Sequence, residues 1–143
     1  MAGVARFEDL VAWRLCTDLA ATVFHLTETG PVSRDFLFRN QIREAADAPA
    51  PLIAEGFKRF TTPEFVRYLR MACGELAEVQ TQLIEGEGKG YFAGATLGNA
   101  QTLARRAIGT TTNLLKSKLR KLAVERRERE RASRRRRSLR RAP

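Results

Sequence analysis

Residues 64–83 read EFVRYLRMACGELAEVQTQL. Within them Phe65, Leu69, Ala72, Leu76, Val79 and Leu83 recur at steps of four and three. That spacing draws one apolar seam along one face of a helix, repeating every seven residues. A seam of this kind packs against other helices at a shallow crossing angle. The rest of the chain is therefore read as the helices that cover it.

Upstream, Thr61-Thr62-Pro63-Glu64 is a start signal, with Thr62 as cap and Pro63 as first helical residue. Thr61 with Glu64 has the alternative capping-box spacing. A preceding helix is expected to start at capping residue Ser33 and carry Phe36, Leu37, Ile42, Ala45 and Ala46. Pro49 and Pro51 each remove a backbone donor and crowd the turn before them, so a kink or short break is expected there. The helix then resumes through Leu52, Ile53, Ala54 and Phe57. The first helix is placed from about Phe7 to about Glu28, with Leu10, Trp13, Leu15, Leu19, Ala20, Val23, Phe24 and Leu26 on a broad apolar face. Thr29-Gly30-Pro31 ends it.

Downstream, Gly86, Gly88 and Gly90 form a turn. They follow a helix and lack a Lys-Ser/Thr successor, so a phosphate-binding loop is rejected. The last helix begins near Ala95 or Thr96. Leu97, Ala100, Ala104, Ile108, Thr111, Leu115, Leu119 and Leu122 keep its three-four rhythm, and no stop signal precedes Ala132. Residues from Ser133 onward are expected to be disordered without a partner. No strand pattern occurs. The expected fold is all-α: an antiparallel up-down-up-down four-helix bundle over residues 7–122, an N-terminal arm over 1–6, and an Arg-rich extension and tail over 123–143.

The 143 residues suit one domain, and 43% are hydrophobic, enough for a core. No run is long enough to span a membrane, and the start lacks the apolar centre of a signal peptide. A cytoplasmic protein is expected, with Cys16 and Cys73 as reduced, buried thiols rather than an inter-helix disulfide. The formal charge of +10 is unevenly placed. Met1 to Asn113 holds 12 Lys+Arg against 13 Asp+Glu, whereas Leu114 to Pro143 holds 14 against 3. Such asymmetry points to a polyanionic partner held by the C-terminal end.

The residues expected to contact that partner are Lys116, Lys118, Arg120, Lys121, Arg126, Arg127, Arg129, Arg131, Arg134, Arg135, Arg136, Arg137, Arg140 and Arg141. The planar guanidinium grips phosphate oxygens in pairs. No aromatic residue follows Phe92, so the tail itself offers no stacking on bases. Phosphate contact with little sequence preference is expected, to RNA or DNA. Lys58, Arg59, Arg67, Arg70, Arg105 and Arg106 could extend a basic track over the body, or be plain solvated surface.

Gln41, Arg43, Glu55, Glu75, Glu78 and Gln82, with Gln80, read as structural polar groups that fix helix register or subunit packing. The sharper alternative joins Glu55, Glu75 and Glu78 in a carboxylate site. A di-metal bundle needs Glu-x-x-His pairs on two helices, and the chain has one histidine, His25, read as a helix-end or surface residue. Neither cysteine sits beside an activating basic motif, so no metal, cofactor or catalytic set is expected.

The segment Gln41-Ile42-Arg43-Glu44-Ala45-Ala46, followed by Ile53-Ala54-Glu55-Gly56-Phe57, resembles the small proteins encoded within intervening sequences of bacterial 23S ribosomal RNA genes. So do Phe7-Glu8-Asp9-Leu10 with Trp13, Glu64-Phe65 with Tyr68-Leu69, residues 74–83, and Gly90-Tyr91. The likeness runs from about Phe7 to about Leu119. It implies a four-helix bundle, a ring-like homopentamer, and kinship with the accessory variability proteins of diversity-generating retroelements, which work with a reverse transcriptase and nucleic acid. The chain departs from the family at Ala48-Pro49-Ala50-Pro51-Leu52, where Ser-Ile-Pro-x-Asn is usual, and in its Arg-rich tail. Two functions are carried forward: an oligomeric, non-enzymatic nucleic-acid-binding accessory protein, and a pentameric scaffold that recruits another protein, such as an enzyme acting on nucleic acid.

Overall fold

The computed structural model describes residues 3–141. Among them there is no strand. There are five helical segments and two short 3-10 turns, at Phe7–Asp9 before the first segment and at Pro31–Arg34 after it: α1 Val11–Leu26, α2 Phe36–Asp47, α3 Pro49–Lys58, α4 Thr62–Gly88 and α5 Gly94–Arg141. Segments α2 and α3 together form one arm, which leaves four helical arms. α1 and α4 sit on opposite corners, each packed against the α2–α3 arm and against α5. Consecutive arms are neighbours joined by short connections, the up-and-down order expected from the sequence.

The seam on α4 lies where the sequence puts it. Phe65, Leu69, Ala72, Leu76, Val79 and Leu83 are all buried. They meet Leu15, Cys16, Leu19 and Val23 of α1, Ile42, Ala45 and Ala46 of α2, Ile53 of α3, and Ala100, Ala104 and Ala107 of α5 in one core. The alanines of α5 let its backbone approach closely. Gly56 does the same between α3 and α4: a Cβ added there would lie 2.6 Å from Tyr68 Cβ.

The break at Pro49 is one of bonding. Ala48 keeps helical angles, its amide reaches Glu44 O at 3.1 Å, and Leu52 N reaches back to Ala48 O at 3.2 Å. The missing donors of Pro49 and Pro51 interrupt the ladder without reversing the chain.

Several boundaries differ from expectation. The first arm opens with the 3-10 turn at Phe7–Asp9 before α1 begins at Val11. Ser33 does not cap α2, because its hydroxyl donates to Gly30 O at 2.6 Å within the 3-10 turn. Asp35 caps instead, accepting from Phe38 N at 3.2 Å. Phe38 is in the core because it lies four, seven and eight residues before Ile42, Ala45 and Ala46, on their face of α2, whereas Phe36 and Leu37 fall off that face and are exposed. Phe24 is also exposed, beneath the guanidinium of Arg43. Thr61 takes the cap position of α4, with Pro63 one residue inside. Its hydroxyl donates to the Glu64 side chain at 3.4 Å and makes no bond to the backbone. Gly86 and Gly88 belong to α4, and the turn falls at Gly90, φ 75°, and Gly94, φ 64°.

The largest difference is at the C-terminus. Residues from Ser133 onward, expected to be disordered, continue α5 as helix to Arg141. Ala142 and Pro143 lie outside the described residues. Arg, Lys, Leu, Ala and Glu all favour helix, and neither Gly nor Pro occurs between Thr110 and Ala142. The 48-residue α5 is about 72 Å long.

Candidate nucleic-acid interface

The first half of α5 is a bundle helix and the second half is not. Leu97, Ala100, Ala104, Ala107 and Thr111 are buried, Leu114, Leu115, Leu119 and Leu122 are half-buried, and everything from Arg126 to Arg141 is exposed. Those 16 residues span about 24 Å of helix beyond the packed region. They hold ten arginines and two glutamates. At 100° per residue the arginines point to every side of the helix, so the projection is a cationic rod without an apolar stripe.

Among the described residues, none of these arginines pairs with a carboxylate within 4.0 Å. The salt bridges are Arg6–Glu8, Arg14–Asp9, His25–Glu28, and Arg59 with Glu55 and Glu64. The tail's own Glu128 and Glu130 are exposed and neutralise little of the rod. Lys116, Arg120 and Lys121 are exposed on the turns where α5 leaves the bundle. Lys118 is half-buried with its ammonium 5.6 Å from the centre of the Phe65 ring. Arg67 and Arg70 of α4 join Arg126 around a groove of about 430 Å³ floored by Val66, Leu119 and Leu122. Body cations thus meet the rod at its root. Arg105 lies elsewhere, beside Gln80, Ile84 and Gln101. Arg59 is engaged by Glu55 at 2.8 Å, and Lys58 lies 6.0 Å from the Phe7 ring.

The structural polar residues divide. Arg43 Nε donates to Thr27 Oγ1 at 2.7 Å and its guanidinium covers the Phe24 ring at 4.3 Å. It therefore places a cation at the carbonyl end of α1. Glu55 accepts from Arg59 at 2.8 Å and from Tyr68 Oη at 2.9 Å. The guanidinium first, then the phenol, hold its carboxyl below the usual range. Glu75 and Glu78 line a different groove, of about 310 Å³, with Gln41 and Glu44. Burial, then the charge of Glu78, push the Glu75 carboxyl up. Glu55 is not brought to Glu75 and Glu78, so the three-carboxylate site does not assemble. No cluster of three or more His, Cys, Asp or Glu suited to a metal occurs among the described residues. Gln82 is buried and its Oε1 has no hydrogen-bond partner.

Both cysteines are free. Cys16 is fully buried 4.0 Å from Thr111 Oγ1, and burial pushes its thiol up to about 11. Cys73 is half-buried against Thr112, and burial raises its thiol too. Thiolate, the reactive form, is suppressed at both. No helix is long and apolar enough to cross a membrane among the described residues.

The model of one family, described as 23S rRNA-intervening sequence protein, matches residues 8–114. The chain belongs to that family. The match covers all four arms of the bundle and stops at Leu114, just before the first lysine of the basic stretch. The family thus accounts for most of the packed body, ending before the half-buried Leu115, Leu119 and Leu122, and the cationic rod lies wholly beyond the matched region. No curated protein matches the chain. The aromatic that sequence reasoning missed is Phe60. Its place beside Lys118 and Lys121 is created by folding, with 57 and 60 residues of chain between it and them.

Proposed function

We propose that this chain is an oligomeric, non-enzymatic accessory protein that binds RNA or DNA through the C-terminal half of α5. The observation that carries the reading is the run from Arg126 to Arg141, exposed on all sides and unpaired with carboxylates among the described residues. Guanidinium groups on a continuous helix meet phosphates spaced along a strand, and each contact releases a condensed counterion. Binding of this type reads backbone more than sequence. The family resemblance implies assembly of five copies. Rods presented together gain avidity of orders of magnitude over a single rod. Burial suppresses both thiols, which favours a binding role over thiol catalysis.

A chain ending at Glu125 tests this. It keeps the bundle's helical content and its subunit number in light scattering, and loses nucleic-acid binding. Unchanged binding by the shortened chain at moderate salt overturns the reading.

A further inference from the structure

Phe60 lies in the connection between α3 and α4 and is fully exposed. Among the described residues it is also the one aromatic with neither a ring nor a cation on it. Phe7 has Trp13 and Lys58, Phe24 has Arg43, and Phe36 has Arg39. Phe38, Tyr91 and Phe92 form one cluster, Phe57 and Phe65 another, and Tyr68 carries Arg59. An aromatic face left open to water is unfavourable, and covering it is favourable.

The surroundings specify what covers it. Phe60 shares a cleft of about 200 Å³ with Arg59, Thr61, Thr62 and Phe65 and with Lys118 and Lys121 of α5; the Lys118 ammonium rests 5.6 Å from the Phe65 ring, and Lys121 is exposed. Neither lysine pairs with a carboxylate among the described residues. Lys121 sits at the root of the cationic rod. A free aromatic face flanked by ammonium groups, continuous with a phosphate-binding track, matches a nucleotide whose base is unpaired: the base stacks on the ring while its phosphates meet the lysines. A base inside a duplex has no free face to offer.

We infer that Phe60 is a stacking platform for an unpaired base, with Lys118 and Lys121 holding the flanking phosphates. This rests on the nucleic-acid reading above and gives it a preferred form, single-stranded over double-stranded.

The test compares three probes of equal length on the full chain: an unstructured single strand, an abasic strand with the same phosphates, and a duplex. The wild-type chain binds the base-bearing strand roughly tenfold more tightly than the abasic one, the increment expected from one stacked base. Phe60→Ala removes that increment and leaves duplex affinity unchanged. Phe60→Trp restores it, and its added fluorescence is quenched by the base-bearing strand and not by the abasic strand. Equal affinity of the wild-type chain for base-bearing and abasic strands overturns the inference while leaving phosphate binding intact. Failure to bind any probe overturns both. A changed subunit number for Phe60→Ala in light scattering also overturns it, because the ring would then belong to a contact between copies.

Discussion

Thr62 Oγ1 donates a hydrogen bond to Glu125 Oε1 at 3.1 Å, tying the first turn of α4 to the point where α5 leaves the bundle. Beyond this pair every side chain to Arg141 is exposed. The bond therefore marks the boundary between a packed helix and a free one. Glu125→Ala is expected to loosen the exit turns without unfolding the body. Hydrogen exchange should speed up for amides near residues 115–125 and stay unchanged in α1 and the centre of α4. A neutral side-chain hydrogen bond contributes about 0.5–1.5 kcal/mol, and one to a charged group rather more, so exchange should rise on the order of tenfold.

Gly56 faces Tyr68 at a separation that leaves no room for a methyl group, since the obstructing atom is Tyr68 Cβ, fixed to the α4 backbone. Gly56→Ala is expected to destabilise the chain by about 1–3 kcal/mol despite the better helix propensity of alanine. Chemical denaturation measures this. Gly74→Ala, on the same bundle in open space, is the matched control and should be neutral or stabilising.

Asp35 joins two ends of the fold. One carboxylate oxygen caps α2 through Phe38 N, and the other accepts from Tyr91 Oη at 2.7 Å. The phenol first, and the amide second, hold its carboxyl below the ordinary value of 3.8. A carboxylate with a depressed folded pKa stabilises the fold above its unfolded pKa, and that contribution is lost as pH falls through the folded pKa. Tyr91→Phe is thus expected to lower Tm at neutral pH. The gap to wild type should close as pH falls below about 3.8.

Gln82 carries a buried carbonyl oxygen without a partner. Leaving such a group desolvated costs about 1–3 kcal/mol. Gln82→Met keeps the shape and removes the orphan, and is expected to raise stability by about 1 kcal/mol in thermal or chemical denaturation. A loss of stability would contradict this, showing that the amide contributes more than its burial costs.

Much of this molecule was legible in its residue pattern. The seam from Phe65 to Leu83 could be read because a heptad-like spacing has one packing solution. The proline break was readable because a missing donor acts locally. The start of α2 was not, since Ser33 and Asp35 are both good caps, and Asp35 is also held by a hydrogen bond from Tyr91, 56 residues away. The helical continuation of α5 past Ser133 was not legible for another reason: charge density argues for disorder, whereas helix propensity and growth from an already formed helix argue for continuation. The fourteen cations stood out as a composition, but the open face of Phe60 between Lys118 and Lys121 did not. Only the return of α5 to the α3–α4 connection brings those residues together.

The most direct measurement of the central claim is the affinity of the full chain for a nucleic-acid strand across a salt series. Binding through about six or more phosphate contacts should fall by roughly a thousandfold or more between about 50 and about 200 mM salt, linear on logarithmic axes, and the chain ending at Glu125 should lack that steep dependence. An affinity that barely responds to salt, or the same slope with and without residues 126–143, would contradict the account.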